Sequence, residues 1–303
     1  MHVMKDRLVS EGVPWRRLGS AAVLVLSVAF LGWKAYSSWD ALRVYDWHIR
    51  YQRLIPSFVL FLFQTAIVVW GWQSIMNCLT EPLPFHKHIR IYAYTNLMRR
   101  IPAGILWVIA GRAYAYKDEN VPARTSAVGS LLEMWLVVLT GLPLAVLAAS
   151  GLNLLSPVTG VALAVVALIL ELGAMHPVVL RKLLGLAWHE APKLELTHRR
   201  TLSWAFVYTL IWLVSGIGLF AMVRVFADAP IESVPMTVGV WVLSSLIAYV
   251  TLLSPSGLGV KELSLTVLLG VFLPDPLPLL IALAMRVVWT VYDIVVGVVA
   301  WLF

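Results

Sequence analysis

Apolar residues run in long blocks along this chain instead of alternating with polar ones. Blocks with almost no charge recur at roughly 18–39, 55–78, 123–148, 157–180, 201–224, 234–252 and 278–302. About 20 apolar residues in a helix cross a hydrocarbon core of ~30 Å, so each block predicts a membrane-spanning helix. Two shorter apolar stretches, 101–115 and 256–273, each begin at a proline-glycine break: Ile101-Pro102-Ala103-Gly104 and Ser254-Pro255-Ser256-Gly257. They predict re-entrant helices, which enter and leave on one side and need other helices to bury their loose backbone. The fold class that follows is an all-α polytopic membrane protein of about seven transmembrane helices plus two re-entrant helices. It forms one integral membrane domain over 1–303, with 1–17 as a cytoplasmic N-terminal segment.

Composition supports this reading. The chain has 303 residues, 60% hydrophobic and 13% charged, against about 25% charged in soluble domains. The first apolar block is followed by many others, which argues against a cleaved signal peptide. The net charge of +7 sits in short loops between spans. There it sets orientation and meets anionic lipid headgroups, and nucleic acid is not an expected partner. With the N-terminus inside, the segments holding Lys87, Arg90, Arg99, Arg100, Lys117 and Arg124, and the stretch 181–200, fall on the inner face. The stretch 181–200 reads as an amphipathic surface helix. Full crossing by 101–115 would move that basic stretch outside, so the charge distribution favours re-entry there. The two breaks form a weak internal repeat, and duplicated membrane folds often bind substrate between their repeats. The span count puts both breaks on the inner side, implying parallel repeats.

Charges inside apolar runs are the candidate chemistry. Glu133 follows Pro102 by the same 31 residues (102 to 133) that separate Arg286 from Pro255 (255 to 286). A buried carboxylate needs a partner or a proton, and a guanidinium needs an anion. One arrangement pairs Glu133 with Arg286 as a structural clasp; the other gives Arg286 a lipid phosphate, and both could hold in sequence. Asp293 lies two turns beyond Arg286 on the same face, either in the same polar track or bonded to a neighbouring helix. Gly257, Gly259, Lys261 and Glu262 sit where the second break opens a helix, whose free N–H groups and dipole suit an anion. In the ordinary alternative, glycine serves only the turn and lysine the interface. Around the first break stand Asn96, Pro102, Gly104, Trp107 and Arg112; Trp107 could wall a lipid groove, although anchoring is the commoner tryptophan role.

Enzyme signatures are mostly missing. His86 and His88 lack the third ligand of a metal site, and no nucleophile elbow, phosphate loop or paired acidic motif is present. The lone Cys78 excludes an internal disulfide and a cysteine-rich metal centre. No metal, cofactor or catalytic residue is expected, and a transporter fits better than an enzyme.

The string from Asn96 through Arg112, followed by Glu133, and the string Ser254-Pro-Ser-Gly-Leu-Gly-Val-Lys-Glu262 resemble the two signatures of the lysylphosphatidylglycerol synthase transmembrane, or flippase-like, family. The likeness covers roughly 20–300. It implies a bacterial or archaeal inner-membrane protein related to a phospholipid translocase. The soluble aminoacyl-transferring domain of the full synthases is absent from this sequence, so lipid aminoacylation is not implied. Ala103 and Leu106 fall where other members often carry glycine or polar residues. The expected function is translocation of an anionic phospholipid or polyprenyl-phosphate-linked lipid. Arg112, Lys261 and Arg286 would attract the phosphate, while Glu133 and Asp293 balance charge. An alternative is an accessory subunit presenting a lipid-linked substrate to a separate glycosyltransferase or lipid-modifying enzyme.

Overall fold

The structure is a computed structural model that describes residues 29–37, 39–45, 49–98, 105–187, 196–250 and 259–302. Among the described residues the chain is helical, with short 3-10 turns and no strand. Helix α1 covers 29–37 and α2 Trp39–Val44; α3 is Leu54–Leu79, α4 Phe85–Met98 and α5 Ile105–Ala115. Then come α6 (Ala123–Gly151), α7 (Pro157–Ala174), α8 (Pro177–Ala187) and α9 (His198–Phe226). The chain ends with α10 (Val234–Val250), α11 (Val260–Leu269) and α12 (Leu277–Leu302).

Six helical segments are long and apolar enough to cross a membrane: Tyr51–Leu79, Ala123–Gly151, Pro157–Ala174, His198–Phe226, Ile231–Tyr249 and Leu277–Ala300. They match six of the seven apolar blocks. The block at 18–39 lies mostly outside the described residues. The protein is an all-α polytopic membrane protein.

Local chemistry places several boundaries. The Ser156 hydroxyl accepts the Thr159 N–H at 3.1 Å and Pro157 opens α7, the usual start of a helix. The block 157–180 does not continue as one helix. It stops at Ala174, turns at Met175–His176 and restarts at Pro177, a residue without the N–H needed to prolong the ladder. The surface helix expected at 181–200 is therefore α8, Pro177–Ala187, with Leu180 and Leu184 buried; 188–195 lie outside the described residues and α9 begins at His198. Helix α4 was not foreseen. Its buried face, His88, Ile91, Tyr92 and Thr95, follows helical spacing, but the polar residues between hide it from a search for apolar blocks.

The architecture is a repeat of four helices, α3–α6 and α9–α12, with α7 and α8 between. Helices α3·α4, α4·α5 and α5·α6 are in contact, as are α9·α10, α10·α11 and α11·α12. The halves interlock reciprocally: α6 packs on α10, and α12 packs on α4. Close approaches at small residues permit this. A Cβ on Gly239 would lie 2.5 Å from Ala148 Cβ, and one on Gly216 would lie 2.5 Å from Val238 Cα. Small residues at crossings let membrane helices pack backbone to backbone.

The two halves are inverted, not parallel. Where α3 begins, Arg50 N–H donates to Val225 O (3.1 Å) and Tyr45 OH to Phe226 O (2.9 Å), at the end of α9. Where α3 ends, Ser74 accepts from the Trp204 indole at 2.9 Å, near the start of α9. So α3 and α9 run antiparallel. Helix α6 runs with α9, since Glu133 meets Tyr208 and Val137 meets Trp212. Helix α12 runs with α3: Trp289 faces Phe61 and Tyr292 bonds Thr65 farther along both helices. Thus α4–α5 forms a hairpin returning to the end where α3 finishes, and α10–α11 forms one returning to the opposite end. This corrects the expectation of parallel repeats, while α10 is long and apolar enough to cross, as the block 234–252 predicts. The positive-inside count could not detect the inversion, because the loop after the second break holds no basic residue.

Candidate functional site

The first hairpin carries a buried ion pair. Arg112, near the end of α5, is 1% exposed, and its Nη1 donates to Glu133 Oε2 of α6 at 2.5 Å. The other carboxylate oxygen accepts from Tyr92 OH of α4 (3.0 Å) and from Tyr208 OH of α9 (3.4 Å). The guanidinium carbon lies 4.1 Å from the Trp72 ring centroid and 4.4 Å from that of Tyr92, a cation–π corner that holds its plane. Behind it, the Trp72 indole donates to Tyr116 OH at 2.7 Å, and Tyr116 OH stands 2.6 Å from His88 Nδ1. Burying two charges is tolerable here because the carboxylate is satisfied on both oxygens.

The second hairpin carries the counterpart with its polarity reversed. Glu262 now lies on the short helix, α11, and Arg286 on the following span; their charged atoms are 3.3 Å apart. Glu262 Oε2 also accepts the Gly259 N–H at 2.8 Å, so the start of α11 already holds a carboxylate. Gly259 has φ of 83°, a conformation that glycine adopts without a steric penalty. Lys261 Nζ sits in a corner of two perpendicular indoles, 3.5 Å from Trp241 and 4.1 Å from Trp289. This pair is more open than the first: the Arg286 side chain is 25% exposed.

Among the described residues Glu133 and Arg286 form no ion pair with each other. Each is matched by a partner on its own short helix, so the clasp joining them directly is not observed. At 1.5 Å per residue, Glu133 lies about 15 Å into α6 from one end. Arg286 lies about 13 Å into α12 from the other. The two charges belong to two separate clusters, one in each hairpin.

Of the remaining predicted residues, Asp293 is half-buried on α12 and Asn96 half-buried in the last turn of α4. Trp107 lies within α5. Pro102, Gly104, Pro255 and Gly257, with Arg99 and Arg100, lie outside the described residues. The sequence reading missed Trp72, Tyr208, Tyr116, Trp241 and Trp289 as cluster members. Tyr208 carried a detectable signal, a hydroxyl deep in an apolar block; one tryptophan among 14 carried none.

Outside the spans, Asp228 clasps the ends of α3 and α9. Arg50 donates to both its carboxylate oxygens and Arg53 to one, at 3.0 Å. The hydrogen bonds from Arg50, then those from Arg53, hold the Asp228 carboxyl well below the ordinary carboxylate range. At the opposite end Lys87 pairs with Glu119, tying α4 to the turn after α5.

A comparison with protein-family models finds no match to this chain, and a comparison with curated proteins finds none.

Proposed function

We propose that this protein moves a lipid with an anionic headgroup across the membrane, a phospholipid or a polyprenyl-phosphate-linked lipid. The supporting observation is the pair of inverted hairpins, each holding a carboxylate against a guanidinium in the membrane-embedded core. Inverted repeats with broken helices and ion sites near the midplane are the usual build of secondary transporters. Charges inside a membrane bundle mark substrate or ion pathways by default. Each cluster is shaped for an oxyanion and is filled by a resident one, Glu133 or Glu262. A headgroup phosphate would exchange with these carboxylates in turn while its acyl tails stay in lipid. The strings that carry the resemblance to the flippase-like family include Arg112, Glu133 and Glu262.

The basic loops favour the bundle end where α3 finishes as the inner face, and the resemblance implies a plasma membrane of bacterial or archaeal type. Lys87, Arg90, Lys117, Arg124, Arg181 and Lys182 gather at that end, and the N-terminus is then cytoplasmic.

The test is reconstitution into liposomes containing headgroup-labelled phosphatidylglycerol or a labelled polyprenyl phosphate, with a membrane-impermeant quencher outside. Protein-dependent loss of the inner-leaflet signal is expected. No acceleration over protein-free liposomes for any anionic lipid tried would overturn the reading.

A further inference from the structure

Arg112 spends only one of its nitrogens on Glu133. Its Nε and Nη2 are buried and meet no acceptor among the described residues. These two N–H groups lie side by side along one edge of the guanidinium plane, a fork whose spacing matches two oxygens of one carboxylate or phosphate. A buried donor without an acceptor is costly, and two on one edge call for an explanation. The Trp72 and Tyr92 rings lie 4.1 and 4.4 Å from the guanidinium carbon, and turning the fork toward Glu133 would disturb the Nη1 bond already made there.

Other buried polar atoms without partners stand on the same helix faces. His88 Nε2 and Asn96 Oδ1 lie one turn either side of Tyr92, and Ser126 Oγ lies two turns before Glu133. His88 and Ser126 are in the first turns of α4 and α6, so this column of under-satisfied groups runs from the bundle end toward Arg112.

Charge decides what could bind. Arg112 and Glu133 neutralise each other, and a further anion would leave the buried cluster at net −1, which burial disfavours. One proton on Glu133 restores neutrality. The other titratable groups facing the pair are Tyr92 from α4 and Tyr208 from α9, with Tyr116 and His88 behind them; α3 contributes only Trp72. His88 stands farther back, behind Tyr116, so the carboxylate is the seat nearest the incoming charge.

We propose that the Nε/Nη2 edge of Arg112 binds a monoanionic two-oxygen group, taken up together with one proton on Glu133. This deepens the transport reading and rests on it for the class of ligand, a phosphodiester headgroup. The proton comes from solvent and stays on the carboxylate while the oxyanion is bound; no covalent bond forms.

Titration calorimetry on the purified protein in detergent tests this, with dihexanoyl-phosphatidylglycerol, dimethyl phosphate and acetate as separate probes. Measurement in buffers of different ionisation enthalpy gives the proton count. Wild type is expected to take up about one proton per bound anion at neutral pH, the count that neutrality requires. Arg112→Lys, which keeps the charge but loses the fork, should bind about tenfold more weakly or worse. Glu133→Gln should bind with uptake near zero, and it keeps the test alive if the lysine variant does not fold. Binding of the lipid probe alone identifies a headgroup site; binding of all three identifies a general oxyanion site. No binding by any probe, meaning the fork is served by water only, overturns the inference, as does an unchanged Arg112→Lys affinity or zero uptake in wild type. Lipid translocation persisting alongside any of these results would sink this inference and spare the transport reading. Arg112-dependent binding without translocation would do the reverse.

Discussion

Glu133 and Arg286 occupy matching places in the two inverted repeats, on the long helix after the hairpin, and carry opposite charge. Each is held by the short helix before it, Glu133 by Arg112 and Arg286 by Glu262. The halves thus keep one geometry and exchange the sign of each member. Each ion pair ties a helix too short to span, about 15 Å at 1.5 Å per residue, to one that does span.

The Arg112–Glu133 pair is the interaction whose one-sided loss should be felt most. Removing one partner of a buried pair strands the other charge and typically costs about 3–5 kcal/mol. Arg112→Leu and Glu133→Leu are each expected to lower the unfolding midpoint in detergent, and the double variant to recover part of that loss. A double variant whose loss equals the sum of the two single losses would show that the charges do not depend on each other. Glu262→Gln should cost less than Glu133→Gln, because its partner Arg286 is partly open to solvent.

Inversion of the repeats can be checked from outside the protein. In a Cys78→Ser background, single cysteines at Lys117 and Val271 report the loops after α5 and α11. An impermeant thiol reagent added to sealed, oriented vesicles should label one of them from each side. Labelling of both from the same side would restore the parallel arrangement.

The helix crossings make an opposed pair of predictions. A methyl group on Gly216 would meet the Val238 backbone at 2.5 Å, whereas one on Gly173 would meet nothing within 4 Å. Gly216→Ala should therefore destabilise by about 1–3 kcal/mol through overpacking. Gly173→Ala should be neutral or stabilising by up to about 1 kcal/mol from helix propensity. Denaturant titration of both variants in mixed micelles reads the difference.

The Asp228 clasp should appear as an acid-side loss of stability. A carboxyl held below its unfolded value contributes fully above that value, about 3.9 for aspartate. The contribution fades as pH falls from there toward the lower folded value. Asp228→Asn should already be less stable than wild type at pH 6, and the gap should narrow below about pH 4. Because the clasp is solvent-exposed, high salt should shrink the gap at every pH. A gap that does not vary with pH would mean the carboxylate charge is not what holds α3 to α9.

Most of the secondary structure was legible along the chain, because spanning a membrane demands apolar length, and length is visible residue by residue. The charged positions 112, 133, 262 and 286 stood out for the same reason: an ion in an apolar run is conspicuous in one dimension. Helix α4 escaped because its buried face is shared by histidine, tyrosine and threonine, which hydropathy counts as polar.

Which charge meets which was decided only in three dimensions. Arg112 and Glu133 are on different helices, and so are Glu262 and Arg286; the sequence brings neither pair together. The same holds for Trp72, Trp241 and Trp289, ordinary members of apolar blocks until packing sets them against a cation. Orientation of the repeats belongs here too. A hairpin and a crossing use the same apolar residues, and only the contacts of α9 with α3 and of α12 with α3 reveal which way the chain returns. Hydrophobic length is a local property, whereas the partner of a buried charge depends on helix packing across the whole bundle.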